Sequence, residues 1–210
     1  MILSRIMPSE LYLIGIGHYD QQGQERLEKL LLQIFPDIVS VEYNEAVLPW
    51  IDRLEKARQS PGGIQKLVDE FCKKGTYDPE NVRQYVHIIN FEYFAAREYC
   101  KKWSKPLLFS DFGAGSLSQR HFHEILSRPI QTTQQLIEMA YQSPVIPVPQ
   151  QEVPQLLKRD EYAETKLRPL SGKVVHVAGA WHLFGNYCNL YERVRDLNPC
   201  RIMLKQADYF

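Results

Sequence analysis

The chain has 210 residues, of which 44 % are apolar and 24 % charged, with 25 basic side chains balanced by 25 acidic ones. That length supports one domain with a sizeable core. The cancelled charge, with no basic run longer than a pair, gives no electrostatic reason to expect nucleic acid or an anionic membrane as a partner. MILSRIMPSE is too short and polar for a secretory signal, and no apolar run approaches the roughly 18 residues of a membrane span, so a cytoplasmic protein is expected. Cys72, Cys100, Cys188 and Cys200 form no Cys-x-x-Cys pair, which argues against a disulfide framework or a structural zinc site. Cys72 and Cys100 fall on apolar helix faces and are expected in the core.

In chain order, the first element is ELYLIGIG, an apolar run closed by glycines, as in a buried strand. From about residue 22 the period changes. Leu27, Leu30, Leu31 and Ile34 share one helical face up to Pro36, and DIVSVEY follows as a second strand. Strand, helix and strand within about 35 residues form a βαβ unit, with a parallel pair and a right-handed crossover. After Pro61-Gly62-Gly63, the residues Ile64, Leu67, Val68, Phe71 and Cys72 mark a short amphipathic helix. Asp78-Pro79-Glu80 then supplies an N-cap followed by proline at the first helical position. From there Val82, Val86, Ile89, Tyr93, Ala96, Cys100 and Trp103 alternate by four and three. This seam predicts one continuous helix packed lengthwise on another, within the chain or from a second copy in a homo-oligomer.

Pro106 precedes a third strand, LLFSD, and helical segments are expected at about 118–126 and 132–142. SPVIPVPQQEVP cannot continue a helix; it is either a linker or a segment lying extended along the site. A helix at about 155–167, a strand KVVHVAG, a helix at about 183–196 and a strand CRIML complete the chain. The expected fold is α/β: one domain over 1–210, with a mostly parallel central sheet flanked by helices and a helical insertion at about 45–105 between the second and third strands.

In such a sheet, ligands bind beyond the carboxyl ends of the strands. Four expected strands run into residues that can bind a metal or move a proton: His18, Glu42, Asp111 and His182. Two of them close matching Gly-x-x-His stretches, Gly15 to His18 and Gly179 to His182. Imidazole and carboxylate suit a divalent ion such as manganese, cobalt or zinc, which would polarise a carbonyl and lower the pKa of bound water. His18, Glu42 and His182 are the candidate ligands, and Glu42 or Asp111 the candidate base. Gly15, Gly17 and Gly179 would let the backbone turn and a substrate come close. Blander roles stand beside these: loop histidines, a Glu42–Arg159 buried pair, and Asp111 as a helix cap. His176 is expected in the core and His87 in solvent. GIGHYD has Asp20 where a dinucleotide fingerprint needs its third glycine, DFG at 111–113 lacks the other kinase motifs, and the His121/His123 pair sits in a polar helix pattern.

LYLIGIGHYD, PDIVSVEY and KRDEYAETKLRPLSGKVVHVAGAWHLFG together resemble the TraB/PrgY family, related to the Tiki metalloproteases and GumN proteins and, more distantly, to erythromycin-esterase and ChaN-like proteins. These blocks cover about a fifth of the chain, at its two ends, with LLFSD a weaker match. The resemblance implies an α/β fold with a helical insertion, and His18, Glu42 and His182 facing one cleft. It also implies a metal-dependent, peptidase-like hydrolase acting on a peptide or small-molecule substrate, with manganese or cobalt as the ion. Arg159 would stabilise negative charge, and Asp160 beside it would help bind substrate. Two positions depart from the family pattern: Ile16 replaces a hydroxyl residue after the first glycine, and the arginine after the strand-two glutamate is delayed to Arg53. The ChaN-like relatives point instead to a non-catalytic protein holding a small ligand or haem. The erythromycin-esterase relatives point to a metal-free esterase with a histidine base.

Overall fold

A computed structural model of the chain describes residues 10–112 and 124–209; His121, His123 and most of the helix expected at about 118–126 lie outside the described residues. The five strands are β1 (Glu10–Ile16), β2 (Ile38–Val41), β3 (Leu107–Phe109), β4 (Lys173–Gly179) and β5 (Cys200–Met203). They form one sheet in the order β3-β2-β4-β1-β5, and every pair is parallel. Near-continuous burial along β1 and β4 is what a parallel sheet covered on both faces requires. Ile16 pairs with Gly179 and Val41 with Val177, so β1, β2 and β4 end level and place His18, Glu42 and His182 at one edge.

The two faces of the sheet bury different sets of residues. Ile14, Ile16, Val39, Val41, Val175 and Val177 pack under α1 (Gly23–Ile34) and the helical insertion. The insertion consists of α2 (Leu48–Gln59), α3 (Gly63–Lys74), α4 (Pro79–Ile88) and α5 (Phe91–Trp103), between β2 and β3. Leu11, Leu13 and Val174 pack on the opposite face. They meet Ala163 and Leu167 of a helix over Val153–Leu167, and Leu183, Leu190 and Val194 beyond β4. In chain order α6 is Ile130–Gln142 and the Val153–Leu167 helix is α7. Among the described residues no helix is long and apolar enough to cross a membrane.

The expected long helix is two helices. Ile89 leaves the helical region at ψ 139°, Asn90 is left-handed at φ 62°, and α5 restarts at Phe91. Asparagine tolerates that conformation better than most residues. The carbonyls freed at the end of α4 are collected by Arg58, whose Nη2 donates to Val86, His87 and Ile89 at 2.8, 2.8 and 3.1 Å. The Arg58 guanidinium also lies over the Phe94 ring of α5, bracing the break from both sides. The apolar seam stays buried from Val82 to Cys100, whereas Trp103 is half-exposed.

The helix expected at 183–196 is also interrupted. A turn of helix, α8 (Trp181–Phe184), stops at Gly185, and α9 (Leu190–Arg193) starts anew with the Asn189 side chain accepting from Glu192 N–H. The proline-punctuated segment lies extended against that interruption. Ile146 N–H donates to Phe184 O (2.8 Å) and Val148 N–H to the Asn186 side chain (2.8 Å). As expected, His176 and Cys100 are buried, and His87 is exposed. Cys72 is partly buried, and all four cysteines are free.

Candidate active site

Side-chain alternation divides the site between the two faces of the sheet. Glu42 follows β2 on the α7 side, where Arg159 and Asp160 arrive. Glu42 accepts from Arg159 Nη2, from His182 Nε2 at 2.9 Å and, through its second oxygen, from Gly179 N–H at 2.7 Å. Arg159 grips Asp111 with two parallel hydrogen bonds of 2.9 Å. His182 donates its other nitrogen to Asp160, and Tyr187 donates to the second Asp160 oxygen at 2.8 Å. Every charge in this buried group is therefore paired, the condition under which buried ions are tolerated.

Burial opposes charge throughout the group, and the pairings decide the outcome. Burial alone would raise the Glu42 carboxyl, but Arg159 and His182 hold it well below the ordinary carboxylate range. Burial likewise disfavours the His182 imidazolium, but Glu42 and Asp160 on either side raise its pKa to about 10. Asp160 is raised by its burial, against the pull of His182. His176, buried deeper in β4 beside Ser40, is pushed down to about 4 and is a neutral core histidine.

His18 comes from the other face. Its Nδ1 lies 2.9 Å from Glu92 Oε1 on α5, and Tyr43 Oη donates to the same oxygen at 2.9 Å. Burial works against its protonation, and Glu92 more than offsets this and raises the His18 pKa. The side chain is 40 % exposed, which weakens the burial penalty further. The loop carrying His18 is fixed by Asp20, which caps the turn at Gln22 N–H (2.9 Å), pairs with Arg26 (2.8 Å) and accepts from Tyr141 Oη (3.0 Å). Tyr141 Oη in turn accepts from Gly17 N–H at 3.0 Å. Asp20, out of place in a dinucleotide motif, is thus the anchor of the loop.

The two halves meet over Gly179. A Cβ at that position would lie 2.8 Å from His18 Nε2 and 3.5 Å from Glu42 Oε2. The absent side chain opens a window at the sheet edge where the imidazole and the carboxylate face each other, and the sum of those distances is an upper limit to their separation.

The sequence-derived candidates therefore separate. His18, Glu42, Gly179, His182, Arg159 and Asp111 converge. Gly15 and Gly17 do not line the cleft: a Cβ on Gly15 would strike the Phe184 ring, and one on Gly17 the Ile137 side chain, so both are packing glycines. Asp160 is fully buried and holds His182, so it has no surface to offer a substrate. Asp111 clamps Arg159 with both oxygens engaged; the segment it was expected to cap lies outside the described residues. Glu92, Tyr43 and Tyr187 complete the site without any motif to announce them.

Among the described residues, no three His, Cys, Asp or Glu side chains are arranged to hold a metal ion. The donor chemistry explains this. His182, with a raised pKa and both nitrogens donated to carboxylates, has no lone pair to offer, and the Arg159 cation and His182 both occupy Glu42 Oε1. In this arrangement His18, Glu42 and His182 do not fit manganese, cobalt or zinc as a shared ligand set. A cavity of about 300 Å³ between the start of α4 and the start of α6, lined by Tyr77, Asn81, Gln84 and Ile130, contains none of the cleft residues.

Fold and site together define an α/β protein with a buried charged cluster at the carboxyl edge of a parallel sheet. No protein-family model, curated protein or solved structure matches the chain.

Proposed function

We propose that the protein is a hydrolase of ester- or peptide-type carbonyl substrates in which His18, without a metal, is the general base. The observation that carries this reading is the window over Gly179, where Nε2 of the partly exposed His18 faces in, while both ring nitrogens of His182 are bound to carboxylates. Glu42 is the weaker base, because Arg159 and His182 hold its pKa well below the ordinary value. Glu92 raises the His18 pKa above the ordinary imidazole value, which strengthens His18 as a base.

In the proposed step, a water held between His18 Nε2 and Glu42 Oε2 attacks the carbonyl carbon as its proton passes to Nε2. The tetrahedral adduct then collapses, the bond to the leaving group breaks, and His18 returns the proton to the leaving atom. Arg159 and His182 keep Glu42 ionised and oriented so that it receives a hydrogen bond from the water and takes no proton itself. The resemblance of the strand-end motifs to erythromycin-esterase-like proteins favours the same chemistry. Hydrolysis of p-nitrophenyl acetate and of a peptide library by chelator-treated protein tests it, with His18→Ala as the comparison. Activity that survives metal removal and disappears with His18 supports the reading. Activity that needs added manganese, cobalt or zinc would instead establish the metal-dependent reading, and haem absorbance without turnover the ligand-binding one.

A further inference from the structure

Glu92 is an unusual residue to bury. Its side chain is 4 % exposed, and Oε2 finds no partner among the described residues. A glutamate in the first turn of a helix is favoured by the helix dipole whether it faces in or out, so the dipole gives no reason to place it in the core. Burying a carboxylate is unfavourable unless partners offset its lost hydration. Here the partners are His18 Nδ1 and Tyr43 Oη, both on Oε1. Glu92 is aimed inward by the break at Asn90, whose left-handed backbone interrupts a helix that the apolar seam would carry straight through. Tyr43 Oη also lies 3.0 Å from Asn90 Oδ1, so the break and the carboxylate are tied to one hydroxyl at the end of β2. Left-handed non-glycine residues persist where the surroundings over-determine them, and they concentrate at functional sites.

From this geometry we infer that Glu92, held by Tyr43, is a positioning residue that fixes His18 with its proton on Nδ1 and its Nε2 lone pair open toward Gly179 and Glu42. An ionised carboxylate only accepts, so the nitrogen facing Glu92 must carry the proton, and in the neutral ring the other nitrogen is then the acceptor. The inference rests on the general-base reading of His18 for its catalytic meaning, but the tautomer exists whether or not the protein turns over a substrate. The helical insertion thus does more than cover the sheet: its broken helix supplies the rear support of the base.

Two measurements on the full chain separate the questions. Long-range ¹H–¹⁵N NMR of the imidazoles, at a pH above the raised His18 pKa, reads the tautomer directly, with His18→Ala giving the assignment. Wild-type protein is expected to hold His18 mainly as the Nδ1–H form. In Glu92→Gln, whose neutral amide is a weaker acceptor and can also donate, the Nε2–H form should become the main one. With p-nitrophenyl acetate as the probe, Glu92→Gln should lower kcat by roughly 10²-fold with little change in KM, the lower end of what a positioned base contributes. Glu92→Asp should recover part of that loss. A wild-type His18 in the Nε2–H form overturns the inference without recourse to any variant, as does a folded Glu92→Gln with unchanged tautomer populations. Wild-type protein with the expected tautomer and no hydrolysis of any ester or peptide would remove the hydrolase reading and leave the positioning role standing.

Discussion

Replacing Gly179 by alanine isolates the window at the sheet edge. Gly179 lies in β4 outside the left-handed region, so alanine brings no backbone strain, and the whole effect comes from one methyl group. That methyl would sit 2.8 Å from His18 Nε2, closer than real side chains approach, and at an ordinary 3.5 Å from Glu42 Oε2. The imidazole has to move, because the other neighbour is in normal contact. Moving it strains or breaks the hydrogen bond to the buried Glu92, a loss of about 1–3 kcal/mol for a charged buried acceptor. Overpacking is of similar size, about 1–3 kcal/mol, and His18 can relieve part of it by swinging toward solvent. The fold should therefore survive with a net destabilisation of roughly 1–3 kcal/mol, while turnover falls by about 10² or more as the base leaves the water. Gly15→Ala is the matched control: its methyl would meet the Phe184 ring at the same 2.8 Å, away from His18. It should lower the melting temperature comparably while the folded protein keeps its activity. Chemical denaturation and ester hydrolysis on the two variants decide the matter. Wild-type turnover in Gly179→Ala would refute the placement of the reacting water.

Ile89 lies in the core at the break between α4 and α5, so Ile89→Ala should cost about 2–4 kcal/mol through the transfer and cavity contributions, read from a denaturant melt beside an unchanged His87→Ala control. Stability should also depend on pH in two directions. His182, raised from 6.5 to about 10, contributes stability that is complete below 6.5 and lost as pH rises toward 10. Asp160, also raised, acts in the same direction above 3.8. Glu42, lowered from 4.5, contributes above 4.5 and loses that contribution as pH falls through its depressed pKa. Melting temperatures measured across this range should fall on both flanks. A flat alkaline flank between 6.5 and 10 would contradict a cationic His182.

The sheet was legible because each parallel strand is a short apolar run with a turn signal behind it, and burial on both faces leaves little room for any other pattern. The convergence of His18, Glu42, Asp111 and His182 followed from strand ends alone. What was hidden depended on contacts across the fold. Ile89 and Tyr93 are buried whether or not the helix is continuous, so the apolar seam gave no sign of the break, which is made by Asn90 and capped by an arginine from α2. Glu92 carried no signal, since a glutamate beside aromatic residues in a helical pattern fits a solvated face equally well. The paired Gly-x-x-His motifs look equivalent in sequence, yet they do different work. Gly15 packs under Phe184 and leads to a histidine with an open nitrogen, whereas Gly179 makes the window and leads to a histidine engaged on both sides.

The most direct test is the steady-state hydrolysis of p-nitrophenyl acetate by chelator-treated wild-type and His18→Ala protein, followed as a function of pH. Wild-type turnover should persist without metal and rise with pH through the raised His18 pKa, because the base works only when Nε2 is unprotonated, and His18→Ala should lose that limb together with at least about 10²-fold in kcat. Equal turnover in the two proteins, or wild-type turnover that returns only with added manganese, cobalt or zinc, would contradict His18 as the base.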